Sequence, residues 1–278
     1  MRLFKFILYS SIFAATCVVG LTMATERLLL ENYPPIFHPL HIFVFANTLI
    51  VYNIHYYSKK IPTNISDRAA WSQKNKRTHL VVLIIALLIS LFSLFYLSMK
   101  IAIICAFLGL ISFAYSLPLL PYGKKRKLKE YGILKIVLLS LVWTMVSVYL
   151  PIIYYEIAFS DYQLEFYMRF VFMFPLCAAF DIRDMHIDEK YNIKTLPNSL
   201  GIENTYKLIH VFIVLWVLLS LWQFLRIGAL DRLIINLFFT VLMKIAIDYT
   251  RKKTSDIFYL FIIDGLMLFY SLFIIFLG

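Results

Sequence analysis

Charged side chains are scarce in this chain. Only 15% of its 278 residues are Asp, Glu, Lys or Arg, against 62% hydrophobic. A water-soluble domain of this length could not bury that much apolar surface, so the composition predicts an all-α polytopic membrane protein. Cysteine is scarcer still: Cys17, Cys105 and Cys177 all sit in apolar runs without CxxC spacing. Such thiols act as small hydrophobes and give neither a disulfide framework nor a cysteine zinc site. Matched pairs of Gly/Pro-interrupted helices are missing, and mid-membrane charges are few, which argues against a transporter. Lys135, Lys244 and Asp264 fall near span ends, where long side chains snorkel. With no linker, repeat or low-complexity segment, residues 1–278 read as a single integral membrane domain.

A membrane span takes roughly 20 mostly apolar residues. Nine segments qualify: 4–24, 36–57, 80–98, 101–120, 132–155, 164–181, 205–225, 230–249 and 257–277. The net charge of +11 sorts by side, which points to lipid topology and away from nucleic acid. If the N-terminus is cytoplasmic, the alternate segments 1–5, 58–79, 121–131, 182–204 with its flank to Lys207, and 250–256 hold most of the Lys and Arg. The opposite loops offer only Arg27, Lys100, Arg226 and Arg232. This asymmetry predicts nine helices, with the N-terminus inside and the C-terminus outside. The first run resembles a signal peptide in its flanking Arg2 and Lys5, but it continues apolar through Leu28–Leu30 and is read as an uncleaved span. Short loops without organelle-targeting features suit a bacterial inner membrane, with cytoplasmic membrane lipids as partners.

At the end of the sixth span the sequence FDIRDMHIDEKYNIKTLPNSLG places Asp181, Asp184 and Asp188 at i, i+3 and i+7. At 3.6 residues per turn these lie within about 60° of one another on one helical face. Such a face repels itself, and none of its i±3 or i±4 neighbours is basic. Compensation must come from a divalent cation or from basic residues on other loops. Magnesium fits, because it takes one or two carboxylates together with phosphate oxygens. Asn192, Pro197 and Gly201 then supply turn chemistry.

This stretch resembles the second aspartate-rich motif of the UbiA-type membrane prenyltransferases, DxxDxxxD followed by a turn, TLP and LG. Asp181, Asp184, Asp188, Thr195, Leu196, Pro197, Leu200 and Gly201 match, with Asn192 at the usual glycine position. Tyr115 and Pro118 at the end of span four are similar to the family too. The resemblance implies a UbiA-like helical bundle in which Mg²⁺ and basic residues hold a polyprenyl diphosphate. Its C–O bond ionises, and the isoprenoid group passes to an aromatic or lipid-like acceptor. Asp181, Asp184 and Asp188 become the metal-binding and catalytic residues. Phosphate partners are then Asn53, Arg68, Lys125, Lys127 and Lys194.

The family's first motif, NDxxDxxxD, is degenerate here. In VYNIHYYSKKI only Asn53 matches, and Ile54, Tyr57 and Ile61 stand at the aspartate positions. His55 and Asp67 are weak substitutes. Trp71 reads as an interfacial anchor. Two readings of function therefore stand side by side: an active prenyltransferase in which basic residues replace part of the metal charge, and a UbiA-like binder without turnover.

Overall fold

The structure, a computed structural model, describes residues 2–30, 37–58, 66–116, 131–190, 194–252 and 255–278. Helices dominate it. In chain order they are α1 (Arg2–Tyr9), α2 (Ile12–Leu30), α3 (Pro39–Ser58), α4 (Asp67–Lys74), α5 (Lys76–Leu94) and α6 (Met99–Ser116). Next come α7 (Ile133–Thr144), α8 (Leu150–Tyr154), α9 (Phe159–Lys190), α10 (Leu196–Leu200), α11 (Ile202–Ile227), α12 (Leu230–Tyr249) and α13 (Asp264–Leu277). A π turn, Met145–Tyr149, fuses α7 to α8, and a second, Phe258–Ile263, leads into α13.

Among the described residues, each apolar segment that the sequence predicts as a span is largely helical. Among the described residues, five helices are long and apolar enough to cross a membrane: Ile12–Leu30, Lys76–Leu94, Ile133–Tyr154, Ile202–Ile227 and Phe258–Leu277. Others carry more polar groups, such as Asp231, Arg232, Lys244 and Asp248 on α12. Exposed faces are apolar, with Val81, Ile85 and Leu88 on α5, Val214 and Leu218 on α11, and Ile234 and Val241 on α12. In water such faces are unfavourable; in lipid they are the expected surface.

Two predicted spans differ in shape. The first breaks at Ser10–Ser11, where Ser11 takes a φ of 68°, and other side chains satisfy the freed groups there. Asn53 Nδ2 donates to the Ser10 carbonyl at 3.0 Å, and Arg68 Nη2 donates to Ser11 Oγ at 2.8 Å. The sixth is longer than predicted: α9 has 32 residues with a kink at Tyr162, and the run beyond the kink is still about 42 Å at 1.5 Å per residue, longer than a hydrocarbon core about 30 Å thick.

In the bundle, α2 lies against α3 and α13, α3 against α5, α9 against α7 and α11, and α11 against α12. Phe172, Trp216, Phe239 and Tyr270 interlock in its buried centre. At Gly20 the backbones of α2 and α13 come close: a Cβ there would meet Leu268 Cδ1 at 3.1 Å and Ser271 Cβ at 3.2 Å.

Candidate active site

The acidic end of α9 is held by its neighbours. A short parallel pairing, Tyr131 with Lys194 and Gly132 with Thr195, ties the start of α7 to the segment that follows α9. Gly132 makes the entry to α7 at a φ of 48°, a left-handed value that glycine adopts without steric cost. One turn further on, Lys135 faces the aspartates.

Its ammonium lies 2.5 Å from Asp181 Oδ1 and 3.0 Å from Asp188 Oδ2, and all three residues are buried. This corrects the expectation that Lys135 snorkels outward. Two buried carboxylates attract the amine more strongly than the interface does, because a buried pair keeps its Coulombic attraction where water would screen it. Asp184 is paired differently. Arg183 folds back to grip it with Nε at 2.8 Å and Nη2 at 3.1 Å, while its guanidinium lies over Phe180 and Tyr259. Adjacent residues on a helix do not normally face each other, so the i±3, i±4 inventory missed this partner. Burial pushes the Asp184 carboxyl upward, but Arg183 outweighs it and holds the group below the usual carboxylate range.

Beneath the aspartates runs an apolar cavity of about 350 Å³. Its polar head is formed by Arg68, Lys135, Asp181, Arg183, Asp184 and Asp264, with His55 and Tyr56 beside them. Its body is lined by Val44, Val142, Val146, Leu150, Met173 and Met267. From Lys135 on α7 to Val146 in the π turn that follows is about 16 Å of helix rise. The cavity therefore suits a molecule with one charged end and a long hydrocarbon body.

The expected phosphate partners separate. Arg68 lines the cavity, 6% exposed, its guanidinium 4.3 Å from the Tyr56 ring centroid. Asn53 stands apart from the cavity lining. Besides Ser10, its amide donates to the Leu49 carbonyl at 2.8 Å, and its Oδ1 lies 2.6 Å from His79 Nδ1, so it braces the break between α1 and α2. Lys194 contributes backbone to the strand pairing. Lys125, Lys127, Pro118 and Asn192 lie outside the described residues. Asp67 opens α4 without reaching the cavity. Trp71, expected at the interface, packs against Tyr9 and His79. Asp264, expected near a span end, is buried in the cavity wall.

A bound Mg²⁺ can be tested against this donor set. Asp181 Oδ2 is buried without a hydrogen-bond partner among the described residues. The other Asp181 oxygen and Asp188 engage Lys135, and Asp184 engages Arg183. The carboxylates thus fit one divalent ion at Asp181, completed by phosphate oxygens and water.

The UbiA prenyltransferase family pattern matches residues 63–272. No curated protein matches the chain. Similar solved structures are those of a UbiA homolog from Archaeoglobus fulgidus. Bound to GPP and Mg²⁺, it aligns at 16% identity over 98% of this chain and 99% of that one, with a TM-score of 0.63. Bound to DMAPP and Mg²⁺, it aligns at 15% identity with the same coverage and a TM-score of 0.61. The fold is shared across almost the whole length, and three quarters of the sequence matches the family pattern. The chain is an integral membrane protein that belongs to the UbiA prenyltransferase family.

Proposed function

We propose that this protein transfers an isoprenoid group from a polyprenyl diphosphate to an aromatic or lipid-like acceptor. The observation that carries the reading is the joining of three cationic side chains and an orphan carboxylate oxygen at the head of one apolar cavity. The bound substrates of the Archaeoglobus homolog, GPP and DMAPP, support the substrate class.

In this reading Arg68, Lys135 and Arg183 face the diphosphate, and Asp181 would hold a single Mg²⁺ through its free oxygen while Asp184 and Asp188 stay paired with Arg183 and Lys135. When bound, that ion would supply Lewis-acid charge to the leaving group. The allylic C–O bond breaks with its electron pair leaving on the diphosphate, whose growing charge the guanidinium and ammonium groups stabilise. The apolar body keeps water from the carbocation. The acceptor's electron pair then forms the new bond to carbon, and an aromatic C–H or hydroxyl acceptor loses a proton, which the released diphosphate can take up. Lys135 stands in for charge that a second metal site would provide, consistent with the absent first-motif aspartates. The whole chain acts as one domain of nine spans, with the site on the cytoplasmic face of a bacterial inner membrane.

A second reading, binding without turnover, draws on the same ion pairs, since Lys135 and Arg183 already neutralise the aspartates. The test is binding of labelled geranyl diphosphate to the detergent-purified chain with Mg²⁺ or EDTA, followed by turnover with aromatic and lipid alcohol acceptors. Mg²⁺-stimulated binding that Asp181→Ala abolishes supports the site. Absence of binding under all conditions overturns both readings, and binding without product overturns the transferase reading alone.

A further inference from the structure

A second cluster of ligand-bearing side chains lies far from the diphosphate head. Glu26, in the last turn of α2, is wholly buried and reaches two histidines at the start of α3. Its Oε1 lies 2.9 Å from His38 Nε2 and its Oε2 lies 2.7 Å from His41 Nε2. Ligand atoms from the three residues all lie within 4.8 Å of one another. Tyr155, just past α8, places its hydroxyl 3.5 Å from His38 Nε2, and the Tyr154 ring stacks on His38 at 4.8 Å. Lys135 and Tyr155 lie at opposite ends of the rod formed by α7 and α8, about 30 Å apart by helix rise.

Without a metal, the carboxylate can pair with one imidazolium and accept a hydrogen bond from the second, neutral ring. One carboxylate faces two imidazoles whose rings approach to 3.7 Å at 40°. Protonating both would place two cations in contact inside the protein, which the low local dielectric penalises. Both rings direct Nε2 into the cluster, and neither Nδ1 has a hydrogen-bond partner among the described residues. A divalent ion between two neutral imidazoles and the carboxylate would use all three converging ligand atoms at once, the metal taking the Nε2 lone pairs in place of protons.

We infer that Glu26, His38 and His41 form a transition-metal site, with zinc the best-suited ion. Two histidines and one glutamate are a known zinc ligand set, with bonds of about 2.0–2.2 Å. Imidazole disfavours Mg²⁺ and Ca²⁺, which take oxygen ligands. Water or the Tyr155 hydroxyl completes the coordination. Occupied, the site clamps the ends of α2, α3 and α8 together at the end of the bundle opposite the diphosphate head. It is independent of the transferase reading, since it shares no residue with that site.

The test uses the full chain in detergent, stripped of metal and free of any histidine tag. After loading with Zn²⁺ and desalting, mass spectrometry of the eluted metal is expected to give one zinc per chain. Co²⁺ titration is expected to give visible d–d bands saturating at one equivalent, and Zn²⁺ to bleach them. His41→Ala and Glu26→Gln are expected to lower retained zinc at least tenfold, whereas Asp181→Asn leaves it unchanged. The Co²⁺ titration of the unaltered chain requires no variant to fold. A spectrum without bands overturns the inference. So does equal zinc retention by folded Glu26→Gln, which would mark the metal as adventitious.

Discussion

The Lys135 ammonium of α7 sits between two carboxylates of α9, 3.0 Å from that of Asp188 and closer still to that of Asp181. A motif that would otherwise repel itself is thus neutralised by the protein's own charge. This explains how Asp181 and Asp188 persist in the fold although the first motif has no carboxylate to share a metal with them.

Removing that amine strands two buried carboxylates. Lys135→Met is expected to destabilise the protein by about 3–5 kcal/mol, the usual cost of breaking a buried ion pair. Millimolar Mn²⁺ is expected to restore part of the loss by occupying the vacated position. Thermal unfolding in detergent with and without Mn²⁺ checks both effects, and Mn²⁺ paramagnetic resonance counts the bound ions. An unchanged melting point would show that the pair contributes little.

Arg68 serves two ends at once, the cavity head and the broken entry helix. Arg68→Ala is expected to weaken geranyl diphosphate binding about 10- to 100-fold, from the loss of a charge-assisted hydrogen bond worth about 1.5–3 kcal/mol. Arg68→Lys is expected to recover part of that, because it keeps the charge while losing the planar fork. Equilibrium binding of the labelled diphosphate separates the two variants, and equal affinities would remove Arg68 from the site.

Under the transferase reading, cavity depth would set the length of chain accepted. Val146 lines the cavity about 16 Å of helix rise beyond Lys135, so Val146→Trp is expected to exclude long polyprenyl diphosphates while sparing dimethylallyl diphosphate. Competition binding across a series of chain lengths reads the change. A uniform effect on all lengths would show that the hydrocarbon lies elsewhere.

At the contact of α2 with α13, the space at Gly20 is already taken. Gly20→Val is expected to destabilise by about 1–3 kcal/mol through overpacking, since even its first added carbon would stand 3.1 Å from Leu268. Co-substitution Leu268→Ala is expected to recover part of this. Melting points of the single and double variants test the coupling.

Hydropathy and charge made the helices legible, because apolar runs of span length leave few other folds. The face shared by Asp181, Asp184 and Asp188 was also legible from spacing alone. Their partners were not. Lys135 is 46 residues away from Asp181 along the chain, and only the packing of α7 on α9 brings them together. Asn53 looked like a phosphate partner because it matched a motif position, whereas its side chain braces the Ser10 break, a kink that no proline or glycine marks. Asp264 looked like a span-end residue because nothing in the local sequence shows which way its helix is turned.

That orientation follows from the π turns. Both stand in the cavity wall, Val146 within the first and Leu260 within the second, with Leu150 and Asp264 directly after them. A π turn is in effect one residue inserted into an α-helix, which advances the phase of everything beyond it by about 100°. Deleting a single residue between 258 and 263 would therefore leave α13 helical yet rotate Asp264 and Met267 out of the cavity wall. The charge at the cavity head thus depends on where a one-residue dislocation falls in the helix, a property carried by the count of residues as much as by their identity.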